Sequence, residues 1–195
     1  MYHPKEVISG DFYTARKINA HQQLYVIVDG MGKGFSASIS AMMTINRVNH
    51  LVDLCVNKET CFDLRHVIEG MSLVARDVLL ENEVLSTVFV EINTKTQRLR
   101  YASFGMPPLL CMDDRGAIKR YKANNLFINP YVNDIKIDEI LYEGIQKVLL
   151  YSDGLVENTL KDGEGIYAEH LEEDFRLSMT RKDLLVRIKD RIDEQ

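Results

Sequence analysis

The sequence predicts an α+β fold of antiparallel strands with segregated helices, and three observations predict it. Apolar extended segments come in pairs joined by short polar turns, as hairpins do. Two stretches with apolar residues at three-to-four spacing run one after the other between the first pair and the rest. Helical patterning then returns only in the tail, so strands and helices do not alternate one by one as in a doubly wound parallel sheet. Two antiparallel sheets packed face to face, with helices outside them, would bury both apolar faces.

Residues 7–18 and 23–29 read as two strands, with Asn19-Ala20-His21 as their turn. A first helix follows a glycine-rich loop, with Phe35, Ile39, Met42, Val48 and Val52 expected on its apolar stripe. A second helix is expected to start at the capping pattern Thr60-Cys61-Phe62-Asp63, with a stripe of Leu64, Val67, Ile68, Met71, Ala75 and Val78. Strand character returns over 85–92, where Val88, Val90 and Ile92 share one face and Thr87, Phe89 and Glu91 the other. The turn Asn93-Thr94-Lys95-Thr96 joins it to a strand over 98–104. A further hairpin pairs 107–112 with 117–121 across Asp113-Asp114-Arg115-Gly116. Residues 122–138 are polar and irregular, a surface excursion, and 147–151 form a short apolar strand. Thr180-Arg181-Lys182-Asp183 repeats the capping pattern before Leu184, Leu185, Ile188 and Ile192.

With 195 residues and no internal repeat or low-complexity linker, one domain over 1–195 is the simplest organisation. A net charge of −5 and the lack of a Lys/Arg run argue against nucleic acid as a partner. No apolar stretch approaches the ~18 residues that span a bilayer, and the start lacks a signal-peptide pattern. No membrane contact is expected of this domain. Cys55, Cys61 and Cys111 are odd in number and widely spaced, which fits reduced, buried thiols in a cytoplasmic protein rather than a disulfide framework.

Three acidic turns carry the chemistry. Asp11 follows Gly10, Asp29 opens Asp29-Gly30-Met31-Gly32-Lys33-Gly34, and Asp153 lies in Tyr151-Ser152-Asp153-Gly154. Each comes at or near a strand end, so the three could converge at one sheet edge. Asp-Gly is also a common plain turn, because glycine tolerates positive φ. Two carboxylates ~4 Å apart repel by about 4 kcal/mol at an effective dielectric of 20, so a converging cluster points to a hard cation with oxygen ligands. A nucleotide-binding loop fits poorly: Gly30 to Lys33 is too short for a P-loop, and a third glycine comes one residue early for the dinucleotide fingerprint. No cysteine has the setting of a nucleophile, and the five histidines lack metal-ligand spacing.

Four segments, Gly10-Asp11-Phe12-Tyr13, Asp29-Gly30-Met31-Gly32-Lys33-Gly34, Gly105-Met106-Pro107-Pro108-Leu109-Leu110 and Tyr151-Ser152-Asp153-Gly154-Leu155-Val156-Glu157, occur in the order found in bacterial PPM-type serine/threonine phosphatases. The chain resembles their SpoIIE/RsbU-like branch, related to protein phosphatase 2C, over roughly residues 4–190. The resemblance implies a PPM-type α-β-β-α sandwich and two Mn²⁺ or Mg²⁺ ions. It makes Asp11 and Asp29 the catalytic acids, with Asp11 a metal ligand, Asp29 the bridge between the ions, Gly30 a carbonyl ligand and Asp153 a late ligand. The implied reaction is direct attack of a metal-activated water on a phosphoserine or phosphothreonine. The implied substrate is a phosphoprotein such as an anti-sigma-factor antagonist, with a sensory or receiver domain upstream.

The chain also departs from the family pattern. Ser9 stands where glycine is common, and Met106 where histidine is common. The Asp-Asp-x-Thr strand that usually closes the domain is not recognised before Gln195, and Asp193 lies in helix-like sequence. The expectation is therefore a C-terminally truncated domain lacking its last strand, better formed around Asp11 and Asp29 than around Asp153. The alternative function is a catalytically weak PPM-fold interaction module. A small-molecule sensor, by contrast, would show an enclosed apolar pocket. The first helix abuts the Asp29 turn, so its movement could reposition Gly30. Part of its stripe could serve an upstream domain or a second protomer in a homodimer.

Overall fold

The computed structural model describes residues 10–31, 35–57, 61–81, 83–131, 134–161 and 163–192. In chain order the elements are β1 (Asp11–Lys17), β2 (Gln22–Met31), α1 (Phe35–Asn57), α2 (Leu64–Val78), β3 (Val84–Asn93), β4 (Arg98–Phe104), β5 (Leu109–Asp113), β6 (Ile118–Tyr121), β7 (Asp138–Leu141), β8 (Ile145–Leu149), α3 (Asp153–Val156), α4 (Leu171–Leu177) and α5 (Arg181–Arg191). They fall into two antiparallel sheets, β1-β2-β3-β4-β7 and β6-β5-β8. The chain divides into two compact units: a larger one from 6–106 and 123–143, and a smaller one built mainly from 107–122 and 144 onward.

In the larger unit, α1 and α2 pack on one face of the five-stranded sheet. Leu24, Val26 and Val28 of β2, Leu85 and Phe89 of β3, and Ala102 and Phe104 of β4 meet Ile45, Val48 and Val52 of α1 and Leu64, Ile68 and Met71 of α2. These side chains alternate along each strand because successive residues point to opposite faces. Polar ties add direction: Thr14 Oγ1 donates to Asn49 Oδ1 at 2.7 Å, and Arg16 pairs with Asp53, joining β1 to α1. Val88 and Val90 are buried as well as Thr87, Phe89 and Glu91, so β3 is buried on both faces. The buried Glu91 carboxylate is held by Arg100 and by the Gln22 side-chain amide.

The turn between β3 and β4 forms as its composition predicts, with Asn93 Oδ1 accepting the amides of Lys95 and Thr96, both at 3.1 Å. In the smaller unit, Asp113 Oδ1 accepts the amides of Arg115 and Ala117 at the β5–β6 turn. There Gly116 adopts φ +79°, which a side chain would oppose. A second core gathers Leu110, Met112, Leu160, Tyr167, Leu171, Phe175, Leu184, Ile188 and Ile192.

Several elements differ from expectation. The α1 stripe is rotated: Phe35 and Met42 are exposed, while Ala37, Ala41, Thr44, Ile45, Val48, Leu51 and Val52 are buried. Small residues at 37, 38, 40 and 41 let the helix backbone sit close to the sheet, and that closeness outweighs side-chain size in choosing the face. The cap of α2 is Asp63, whose Oδ1 accepts the Arg65 amide at 3.1 Å, and Thr60 lies outside the described residues. The excursion ends in β7, an edge strand not expected from its polar sequence. The α5 cap matches expectation, with Thr180 Oγ1 accepting the Asp183 amide at 3.1 Å. Residues 7–9, the loop residues Gly32, Lys33 and Gly34, and Asp193 lie outside the described residues.

Candidate metal centre

The β1–β2 ladder sets Asp11 directly opposite Asp29. The Gly30 amide donates to the Gly10 carbonyl at 3.1 Å one rung away, and hydrogen-bonded and non-bonded pairs alternate in an antiparallel ladder. Asp11 and Asp29 therefore form a non-bonded pair, the closer kind, with Cα atoms about 4.5 Å apart. Two carboxylates on one rung put oxygen donors side by side, the ligand type that a hard cation takes. Both point away from the face covered by α1 and α2, since Phe12, Val28 and Gly30 on the flanking rungs take the other face.

Glycine is required on the rung beside them. A Cβ on Gly30 would lie 2.8 Å from the Ala37 carbonyl oxygen in the first turn of α1. A Cβ on Gly10 would lie 3.1 Å from the Gly30 carbonyl oxygen. The two glycines thus let α1 press onto the end of β2 and keep the Gly30 carbonyl uncovered. This close approach is the physical content of the expectation that the first helix abuts the Asp29 turn.

Asp153 belongs to the smaller unit. The strand before it ends at Leu149, and Asp153 is the exposed first residue of the single-turn α3 after Ser152. Its carbonyl accepts the Glu157 amide at 3.0 Å, and Asn158 Nδ2 donates to the carbonyls of Gly154 and Leu155. The ladder thus brings Asp11, Asp29 and Gly30 together. Among the described residues, no group of three or more His, Cys, Asp or Glu side chains is placed to hold a metal ion. The donors at Asp11, Asp29 and Gly30 are all oxygen, which suits Mg²⁺ or Mn²⁺ rather than a thiophilic metal.

One neighbour escaped sequence reasoning. Ser86 of β3 is the Cα partner of Asp29 on the far side of β2, so Asp11, Asp29 and Ser86 lie in one row across three strands. It is 6% exposed. Only the strand register could have revealed it, because 57 residues separate Ser86 from Asp29 in sequence.

Other reactive side chains are accounted for elsewhere. Burial pushes the Cys111 thiol up to about 11, against a smaller opposing pull from Lys119, so it is a neutral core group at ordinary pH. Burial likewise raises the Tyr151 phenol, two residues before Asp153. The grooves lined by Ile18, Asn19, Gln22, Cys55 and Phe62, and by Gln22, Glu91, Asn93 and Arg98, lie at the hairpin-turn end of the larger sheet, away from Asp11 and Asp29. Among the described residues, no helix is long and apolar enough to cross a membrane.

Residues 19–194 match the Stage II sporulation protein E (SpoIIE) family. The chain belongs to the SpoIIE family. It is thereby a bacterial PPM-type chain of the SpoIIE/RsbU branch, as the four motifs suggest. Among curated relatives, the phosphoserine phosphatase RsbP of Bacillus subtilis (strain 168) is 24% identical over 172 residues, which cover 81% of this chain and 39% of RsbP. The chain therefore spans about two fifths of that relative. Among solved structures, RsbX in complex with magnesium aligns with a TM-score of 0.74 at 15% identity, covering 97% of this chain and 83% of RsbX. The SiaA-PP2C domain of Pseudomonas aeruginosa aligns at 0.75 and 18% identity, covering 97% and 74% of the two chains. The PP2C phosphatase domain of SpoIIE from Bacillus subtilis aligns at 0.72 and 16%, covering 97% and 58%. These likenesses establish the fold as PP2C-like, in accord with the two antiparallel sheets and segregated helices.

Proposed function

We propose that this SpoIIE-family domain is a metal-dependent phosphoprotein phosphatase acting on phosphoserine or phosphothreonine. The observation that carries the reading is the Asp11–Asp29 rung with its two glycines, which sets two carboxylates and a backbone carbonyl side by side at one strand end. Asp11, Asp29 and the Gly30 carbonyl would hold Mn²⁺ or Mg²⁺. The chemistry such ions supply when bound is acidification of an attacking water and neutralisation of phosphoryl charge. The protein's own part is positional. The β1–β2 ladder holds both carboxylates on one face, and α1 pins the Gly30 backbone beside them. The reaction we infer is direct hydrolysis, with no phosphoenzyme.

The substrate we infer is a small phosphoprotein of the anti-sigma-factor antagonist class. Family membership and the likeness to RsbP support this reading, with control by a sensory or receiver domain upstream. The test is turnover of a phosphoserine protein by the purified chain with and without Mn²⁺. Metal-dependent release of phosphate by the wild type, lost in Asp29→Ala, is the expected outcome. A folded wild type that binds Mn²⁺ and shows no turnover on any phosphoprotein would instead make it an interaction module.

A further inference from the structure

The excursion that follows β6 returns to the strand end that carries Asp11 and Asp29. Leu85 is the Cα partner of Gly30, and on its other side it pairs with Ile128. The Leu85 amide donates to the Ile128 carbonyl at 2.8 Å, and the Ile128 amide to the Leu85 carbonyl at 3.0 Å. Gly30, Leu85 and Ile128 thus lie side by side, spanning two strand spacings, or about 10 Å. Ile128 is fully buried in the core under α1 and α2. Its neighbour Phe127 therefore turns toward the opposite face, the one on which Asp11 and Asp29 lie. The Phe127 ring rests on the backbone just beyond β4, where it leaves no room for a Cβ on Gly105.

This loop is held in place at several points. Asn125 Oδ1 accepts the Lys136 amide at 2.7 Å and its Nδ2 donates to the Lys136 carbonyl at 2.9 Å, closing the base. Asn129 Oδ1 accepts the Tyr131 amide at 2.8 Å, and Arg65 of α2 donates to the Ile135 carbonyl at 3.1 Å. On this anchored loop Leu126 is 84% exposed, Tyr131 70% and Phe127 37%. Scattered exposed apolar residues are ordinary, but three large ones on one fixed loop beside a site mark a contact surface.

We propose that Leu126, Phe127 and Tyr131 form an apolar shelf that docks the polypeptide on one side of the phosphoserine in a protein substrate. The inference rests on the reading of Asp11, Asp29 and Gly30 as a phosphatase metal centre. An extended peptide advances about 3.3 Å per residue, so a side chain about three positions from the phosphoserine falls on the shelf. The shelf thereby selects apolar residues near the phosphoserine, and Tyr131 is of the kind in which binding energy concentrates at interfaces.

The experiment measures Mn²⁺-dependent kcat/KM of the full chain on two phosphoserine peptides, one with leucine and valine around the phosphoserine and one with serine and glycine there. Phenyl phosphate, too small to reach the shelf, reports the metal centre separately. The expected result is a preference of about 10-fold for the apolar peptide in the wild type, lost in the double variant Leu126→Ser/Tyr131→Ser. Both positions are exposed, so circular dichroism spectra should not change. Equal turnover of the two peptides by the wild type, or a preference that survives in the double variant, would overturn the shelf and leave the metal centre standing. An equal fall on phenyl phosphate and on the apolar peptide would place the effect in the centre itself and also overturn the proposal. A wild-type dimer that the double variant turns into a monomer in sedimentation would assign the shelf to a second copy instead. Absence of Mn²⁺-dependent turnover on all three substrates would overturn the metal-centre reading, and the shelf with it.

Discussion

Neutralising Asp11 tests the rung directly. Asp11→Asn removes one of the two facing carboxylates and should abolish the rise in melting temperature that Mn²⁺ gives the wild type. The same change should remove Mn²⁺-dependent turnover, so thermal scans beside activity assays read both effects. Gly30→Ala tests the packing beside it. Its Cβ would meet the Ala37 carbonyl at 2.8 Å, an overpacking that should cost about 1–3 kcal/mol by urea unfolding. Cys111 adds a pH dependence whose sign follows from burial. Its folded-state pKa is raised from an ordinary 9.0 to about 11, so the native state keeps a proton that the unfolded chain has lost. Stability from this group is complete below pH 9 and is lost as pH rises toward 11. Urea midpoints measured from pH 8 to 11 should fall, and Cys111→Ala should flatten that slope.

Among the elements, α4 and α5 are joined by a buried polar cluster that no pattern in the sequence announces. Asp174 is 1% exposed, and its Oδ2 accepts Tyr167 Oη at 3.2 Å and Arg191 Nε at 2.8 Å. Arg191 also reaches His170 Nδ1 at 3.1 Å, and burial beside Asp174 raises the Tyr167 phenol. Arg191→Met would leave the Asp174 charge buried and unpaired. That should cost about 3 kcal/mol, the low end for a broken buried pair, because Arg191 keeps a third of its side chain exposed. Urea unfolding against Asp174→Asn, in which the charge is absent, isolates this effect. Legibility followed the same division between local and long-range causes. The β1–β2 and β3–β4 hairpins, the α5 cap and the α2 stripe were readable, because alternation, turn chemistry and capping are written within a few residues. The face of α1 was not, since it is chosen by how closely Ala37 and Ala41 let the helix approach strands elsewhere in the chain. β7 was hidden for a similar reason: its acids are partnered from other segments, Glu139 by Arg98 of β4 and Asp138 by Asn124. At the site, Asp11 and Asp29 stood out as acidic turns, while Ser86 became visible only through the register of β2 with β3.

For the molecule as a whole, cation binding and folding should be linked. A ligand that binds only the native state stabilises it by about 2.7 kcal/mol at a hundredfold excess over its Kd. Mn²⁺ should therefore raise the unfolding midpoint of the wild type and leave that of Asp29→Asn unchanged, as measured by urea titration at two metal concentrations. The division into two units has a separate consequence, for the order in which a growing chain can assemble. The larger unit has received all five of its strands and both of its helices by Leu141. The β5–β6 hairpin is synthesised before that point, yet its third strand, β8, and its core partners Tyr167, Phe175, Leu184 and Ile188 all come later. A two-stranded hairpin alone is marginal in water, so on the ribosome it must wait, unsupported, between two segments of a neighbour that can already fold. Its apolar residues Leu110 and Met112 are then the surface that a nascent-chain chaperone would meet first.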